Sequence, residues 1–94
     1  MLIFPLKKEW YEKIKNGEKN IEYREVKDYW TKRLFNYYET LKAHENRFCY
    51  FQLGYKPNTR LKAKILRIIK VPGKETDLRI EKEVYAIHFR LEKE

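Results

Sequence analysis

Residues 17–30 read GEKNIEYREVKDYW, and this segment predicts how the first half of the chain folds. The glycine at its start ends a helix, because glycine accepts the left-handed backbone geometry common just past a helix C-terminus. From Lys19 to Val26, β-branched and aromatic side chains alternate with charged ones, which is typical of a half-buried strand with Ile21 and Tyr23 in the core. Asp28 then suits the cap of a second helix.

The remaining elements follow from apolar spacing and from turn residues. Helices are predicted over Lys7–Asn16 and Asp28–Leu41, and further strands over Leu2–Leu6, Arg47–Tyr55, Thr59–Val71 and Glu83–Leu91. In the longest strand one apolar face is made of Leu61, Ala63, Ile65, Ile69 and Val71. Arg67 interrupts this row, which predicts a bulge near Leu66. The order of elements predicts an α+β fold, a small mixed and mainly antiparallel five-stranded β-barrel with two or three helices.

Length, charge and cysteine content limit the class of protein. Ninety-four residues predict a single domain spanning 1–94. The net charge of +8 favours a polyanionic partner, although the interspersed signs are also typical of a lysine-rich solvated surface. A single cysteine, Cys49, excludes an intramolecular disulfide. The apolar N-terminal run is too short for a signal peptide or a membrane span, so a soluble, cytoplasmic protein without membrane contact is expected.

Charged and aromatic residues of the kinds that bind nucleic acids are concentrated in residues 17–30. Glu22 and Arg24 leave one face of the predicted strand, because side chains two residues apart in a strand point the same way. Cations pair with phosphates, aromatic rings stack on bases, and a carboxylate accepts a base amino proton. Charges on an exposed strand also fit an ordinary solvated face. The helical spacing of Trp30 with Leu34 fits an anchoring role for that ring.

The N-terminal third resembles the ASCH domain, a branch of the PUA-like superfamily. The family pattern is Gly-x-Lys-x-x-Glu-x-Arg after a strand, a basic residue and an aromatic-containing helix. Residues Gly17, Lys19, Glu22 and Arg24 match this pattern, Lys7 and Trp10 fill its earlier part, and Lys27, Tyr29 and Trp30 continue it. The closing EVYAIHF also resembles the family's last strand. The resemblance implies a PUA-like barrel with a cleft lined by the motif residues, and binding of RNA or a nucleotide.

The resulting hypothesis is a binding module without a cofactor. Its ligand residues are Lys7, Lys19, Glu22, Arg24, Lys27, Tyr29 and Trp30. Lys19, Arg24 and Lys27 meet phosphates or base acceptors. Glu22 reads a donor edge or orients the neighbouring arginine, and one of the two adjacent aromatic rings stacks on a base.

The alternative is a small hydrolase or ribonuclease acting on RNA or a modified nucleoside through Lys19 and Glu22. Members of the family that deacetylate N4-acetylcytidine pair a lysine with a threonine three residues later. Here Glu22 stands in the place of that threonine, which argues against this chemistry. Between Lys19 and Arg24 the glutamate is expected to stay ionised, which weakens it as a general base. A protein-interaction domain with an aromatic surface is a third possibility.

Other candidate residues carry weaker predictions. His44 and His88 lack the spaced partners of a metal site, so no metal is expected. Cys49 lies between aromatic residues and is predicted to be a buried, inert thiol. A basic row on the longest strand either follows a phosphate backbone or forms a charged strand edge. It consists of Arg60, Lys62, Lys64 and Lys70. The sequence does not determine the ligand, RNA against DNA, or the oligomeric state.

Overall fold

The computed structural model describes residues 2–40 and 47–92, which form five strands and two α-helices. In chain order these are β1 (Ile3–Leu6), α1 (Lys8–Lys15), β2 (Ile21–Glu25), α2 (Asp28–Thr40), β3 (Phe48–Leu53), β4 (Leu61–Pro72) and β5 (Glu83–Leu91). Two short 3-10 turns, Pro57–Thr59 and Gly73–Glu75, flank β4. The α+β class and the predicted elements are confirmed, while the expected end of the second helix, Leu41, lies outside the described residues. Neither helix within these ranges is long and apolar enough to cross a membrane.

The strands form one sheet in the order β1-β3-β4-β5-β2. β1 runs parallel to β3, and the other three pairings are antiparallel. β1 and β2 are therefore the two edges of the sheet, and no backbone ladder joins them in the described part of the chain. The sheet is mixed and mainly antiparallel, as predicted, but it is open, so the predicted closed barrel is wrong.

The open edge of β1 has a local cause at Pro5. The carbonyl of Leu6 accepts a hydrogen bond from the backbone N–H of Gly54 at the end of β3 (2.9 Å). Since alternate residues of a strand point their backbone groups to opposite sides, Pro5 turns away from β3. Proline has no N–H to donate at that edge. Its carbonyl instead accepts from the Arg24 side chain of β2 (3.1 Å), so a side chain bridges the two edges where a barrel has a ladder.

The core lies between one face of the sheet and the two helices. The Phe4 ring of β1 stacks on Trp30 of α2 (5.2 Å between centroids) and on Phe51 of β3 (5.6 Å). From α1, Tyr11 and Ile14 are buried in the same cluster. The ring stacking packs the start of α2 against the edge strand β1, and α1 joins the same core through Tyr11 and Ile14.

β4 contains the predicted bulge. Its register with β5 shifts by one residue at Leu66, which confirms that expectation. An extra residue reverses the alternation of faces beyond it, so Ile68 packs against the core. Ile69 and Val71, predicted to share a face with Ile65, lie on the opposite face.

Gly17 ends α1, as predicted. Its φ is +80°, and its N–H donates to the carbonyl of Ile14 (3.1 Å), while Glu18 donates to Lys13 (2.8 Å). This pair of bonds closes a helix at a left-handed glycine. The chain consequently enters β2 along a fixed path that begins at Lys19.

Candidate functional site

The edge strand β2 turns two of its charged residues, Glu22 and Arg24, toward the core. Glu22 and Arg24 lie opposite the buried Ile87 and Tyr85 of β5, and Glu22 is only 5% exposed. The prediction that the apolar residues of this strand face the core is wrong, because Ile21 and Tyr23 are half-buried on the other face. Alternation shows that the two faces of a strand differ but not which face is inward. Here ion pairing allows the charged face to be the inward one.

Glu22 is the centre of an ion-pair network made of Lys19, Glu22, Arg24 and Asp77. Its Oε1 lies 3.2 Å from Lys19 Nζ, and its Oε2 accepts from Arg24 Nη2 at 2.7 Å. Lys19 also pairs with Asp77, which lies between the second 3-10 turn and β5. A buried carboxylate is costly unless it is paired and hydrogen-bonded. Both of its oxygens are engaged, so the cluster is stable in a half-buried position.

The Arg24 guanidinium is held by rings as well as by charge. Its central carbon lies 4.8 Å from the centroid of Trp30 and 5.2 Å from that of Phe4. Its Nε is buried and has no hydrogen-bond partner among the described atoms. Cation–π contacts of this kind orient a guanidinium without neutralising it. Arg24 is therefore fixed in one orientation at the opening between the sheet edges.

These groups line a cleft of about 470 Å³ between β1 and β2. The cleft brings together six of the seven predicted ligand residues, Lys7, Lys19, Glu22, Arg24, Lys27 and Trp30. It is completed by Pro5, Leu6, Trp10, Tyr23, Glu25, Asp77 and Leu78. The cations in this lining outnumber the carboxylates. Segments far apart in sequence thus meet at one concave, positively biased site.

The two predicted stacking residues differ in position. Tyr29 is 54% exposed and does not line the cleft; its ring contacts Arg33 (4.1 Å) and the edge of Trp30 (4.8 Å). Trp30 lines the cleft but is buried, with Phe4 stacked on it. Its position fits the anchoring role that helical spacing indicated for this ring.

Two of the cleft residues that were not assigned a ligand role from the sequence contact the Lys19 ammonium group. Trp10 of α1 is half-buried, and Lys19 Nζ lies 4.6 Å from its ring centroid. Its place in the family pattern was a usable signal for a cleft role. Asp77 is 58 residues from Lys19, and no local motif marks it. Only the tertiary structure brings that carboxylate to the site.

The lysines of the basic row on β4 lie away from the cleft. Lys62 and Lys64 pair across to β3 and point to the sheet face opposite the core, where Lys62 Nζ lies 4.2 Å from the Phe48 ring centroid. The interpretation of these two as a charged strand edge is wrong, since β4 has neighbours on both sides at these positions.

Neither Cys49 nor His88 lines the cleft. Burial, with a smaller contribution from the charge of Glu22, raises the pKa of the Cys49 thiol to about 12, and the predicted buried thiol is confirmed. Burial and the nearby Arg67 lower the pKa of His88. Within residues 2–40 and 47–92 no group of three or more metal-ligating side chains is assembled, and His44 lies outside these ranges.

No protein-family model, curated protein or solved structure matches the chain. A functional proposal therefore rests on the chemistry of the cleft and on the spacing of the motif.

Proposed function

We propose that this chain is an ASCH-type domain, cytoplasmic in location, that binds RNA, or a nucleotide within it, in the cleft between β1 and β2. The observation that carries the proposal is the convergence of Lys19, Glu22 and Arg24 on one concave site. An ordinary exposed strand would direct these side chains into solvent. Here the motif spacing and the tertiary structure agree on the same three residues.

The rim of the cleft supplies the cations for phosphate. Lys7 and Lys27 are exposed, and neither forms an ion pair with another described residue. Their charges are thus available to a ligand, whereas those of Lys19 and Arg24 are partly balanced by Glu22. Phosphate contacts of this kind contribute affinity that falls as salt rises.

The floor of the cleft supplies orientation and stacking. Glu22 holds Lys19 and Arg24 in place, which assigns the carboxylate a positioning role. The half-buried Trp10 ring lines the cleft, with the ammonium groups of Lys19 and Lys13 at 4.6 and 5.1 Å from its centroid, and a base that stacks on it would displace one of them. A base in this position would also lie beside the fixed guanidinium of Arg24.

The same contacts favour binding over hydrolysis. A general base needs a free oxygen within hydrogen-bond distance of the water that it activates. Both oxygens of Glu22 already contact cations, and the side chain is nearly inaccessible. The hydrolase alternative has no comparable support in the geometry of the cleft.

Titration of short RNAs and nucleotides at low salt tests the proposal. We expect Arg24→Ala to weaken binding more than Lys62→Ala, which removes a lysine from the opposite face of the sheet. Because Arg24 also supports the fold, Lys27→Ala serves as a second variant on the exposed rim. Circular dichroism and thermal unfolding establish that each variant is folded. Absence of binding by the folded wild-type protein, or equal effects of Lys27→Ala and Lys62→Ala, would overturn the proposal.

A further inference from the structure

A second, shallower depression adjoins the cleft. This groove has a volume of about 540 Å³ and shares Pro5, Leu6 and Lys7 with the cleft. It is completed by Lys8, Leu53, Gly54, Tyr55 and Lys56. The two cavities thus meet along the end of β1, and Lys7 lies at their junction.

The charge of the groove has one sign. Three lysines line it, Lys7, Lys8 and Lys56, and none of the described residues in its lining is a carboxylate. None of the three forms an ion pair with another residue of the described ranges. The cleft has carboxylates that balance part of its charge, so the groove is the more purely cationic of the two. Such a surface suits phosphodiesters better than the edges of bases.

The groove also carries the most exposed large aromatic residue of the described chain. Tyr55 is 89% exposed, next to Lys56. An exposed tyrosine alone is common on protein surfaces. This one lies beside three lysines and at the end of a nucleotide-sized cleft, where a ring of this kind is a stacking platform for a base.

The loop that carries Tyr55 is held at both ends. The N–H of Gly54 donates to the carbonyl of Leu6 (2.9 Å), and the N–H of Lys56 donates to the carbonyl of Leu53 (3.1 Å). The Thr59 hydroxyl accepts from the Leu53 N–H (2.9 Å) and donates to the Lys56 carbonyl (2.7 Å). A preorganised loop loses little backbone entropy when a ligand binds, so the backbone that carries this ring is held in a fixed place.

We propose that the cleft and the groove form one continuous track for a single-stranded polynucleotide, an inference that rests on the proposed function of the cleft. One nucleotide occupies the cleft. The phosphate that links it to its neighbour lies near Lys7, and the neighbouring base stacks on Tyr55 with Lys8 and Lys56 beside its backbone. The preferred ligand is accordingly a strand of two or more nucleotides and not a free mononucleotide.

The experiment compares a mononucleotide with short single-stranded RNA and DNA, using wild type, Tyr55→Ala, Tyr55→Phe and Lys62→Ala. Intrinsic tryptophan fluorescence reports mononucleotide binding, and anisotropy of end-labelled strands reports strand binding. We expect Tyr55→Ala to weaken strand binding about fivefold or more, since stacking on an aromatic ring contributes at least that factor per base. Mononucleotide binding should be unchanged. Tyr55→Phe keeps the ring and should retain strand affinity, as should Lys62→Ala.

The outcomes distinguish failure of the track proposal from failure of the proposed function of the cleft. Loss of strand binding in Tyr55→Ala, for RNA, DNA or both, supports the track, and the comparison of the two polymers shows whether the 2′-hydroxyl is read. If Lys27→Ala weakens both ligand classes while Tyr55→Ala changes neither, the track is overturned and the proposed function stands. Equal weakening of mononucleotide and strand by Tyr55→Ala also overturns the track. If wild type binds none of these ligands, both proposals fail.

Discussion

The Glu22 carboxylate lies in the protein interior, and it is tolerated there because each oxygen contacts a cation. Lys19 contacts one oxygen and Arg24 the other, and all three side chains are largely shielded from water. Buried pairs of this kind contribute little net stability as a whole, but removal of one member leaves the others unpaired. The stability of the cleft floor therefore depends on the complete network.

Glu22→Gln tests that dependence. The amide keeps the shape of the side chain but removes the charge, so we expect the free energy of unfolding to fall by about 2 kcal/mol. Urea denaturation of wild type and variant measures the change. Glu25→Gln, three residues later on the exposed end of the same strand, is the matched control and should have little effect. Equal stability of Glu22→Gln and wild type would contradict the account of the network.

Cys49 predicts a pH dependence of stability. Its pKa is raised from 9.0 to about 12 in the folded protein, first by burial and second by the charge of Glu22. The unfolded chain releases this proton near the ordinary value, whereas the folded chain retains it. The contribution of this thiol to the free energy of unfolding is therefore fully present below the ordinary pKa. It falls as the pH rises from the ordinary pKa to the raised pKa of the folded protein.

The expected slope from this thiol is up to about 1.4 kcal/mol per pH unit. Urea denaturation at several pH values above the ordinary thiol pKa measures it, with Cys49→Ala as the comparison. The substitution also changes packing, so the informative quantity is the difference between the two slopes and not the difference in stability. Identical slopes for the two proteins would show that the thiol does not titrate differently on folding.

At the residue scale, the sequence predicts which residues line the cleft more reliably than it predicts the orientation of their side chains. The motif that begins at Gly17 identifies three residues that meet in the cleft, Lys19, Glu22 and Arg24, because the motif is local. The inward orientation of Glu22 was not predictable, because alternation does not show which face is inward and charged side chains are usually exposed. The contact between Lys19 and Asp77 joins distant segments and leaves no local signal.

At the scale of elements, the turn that follows β4 shapes one wall of the cleft. Gly73 begins this turn, and its N–H donates to the carbonyl of Lys82 (2.9 Å). A Cβ at this position would lie 2.7 Å from the carbonyl oxygen of Ile80 and closer still to that of Lys82. Both obstacles are backbone atoms, so neither can rotate away. The close approach holds the segment that carries Asp77.

Gly73→Ala should therefore destabilise the fold by about 2 kcal/mol or more, as overpacking against a fixed backbone does. Thermal or urea unfolding measures the loss. The exposed neighbour Lys74 in the same turn provides the control, and Lys74→Ala should be near neutral. A neutral Gly73→Ala would contradict the packing of this turn.

Element positions were predictable because they depend on local chemistry. The bulge at Leu66 was visible as the interruption of an apolar row by Arg67, and the end of α1 was visible at Gly17. Sheet closure was not predictable, because it depends on how β1 and β2 approach each other across the whole chain. Pro5 gives a reason for the open edge only after the direction of its backbone groups is known.

At the scale of the whole molecule, the lysines behind the net charge of +8 fall into two groups, which we expect to contribute differently to binding. Lysines on the outer face of β4 lie away from the cleft, whereas Lys7 and Lys27 lie at the rim of a concave site. Long-range attraction of a polyanion uses all of these charges. The proposed specific binding would use only the lysines at the site, and the salt dependence of affinity distinguishes the two groups of lysines.

The most direct test of the central claim is the salt dependence of RNA binding by wild type, Lys27→Ala and Lys62→Ala. Anisotropy titrations of a short single-stranded RNA over a series of salt concentrations give the slope of log affinity against log salt. We predict that Lys27→Ala binds more weakly with a slope shallower by about 1, the signature of one lost phosphate contact, and that Lys62→Ala retains the wild-type slope. The same slope for all three proteins, or no binding by any of them, would contradict the assignment of the cleft as the nucleic-acid site.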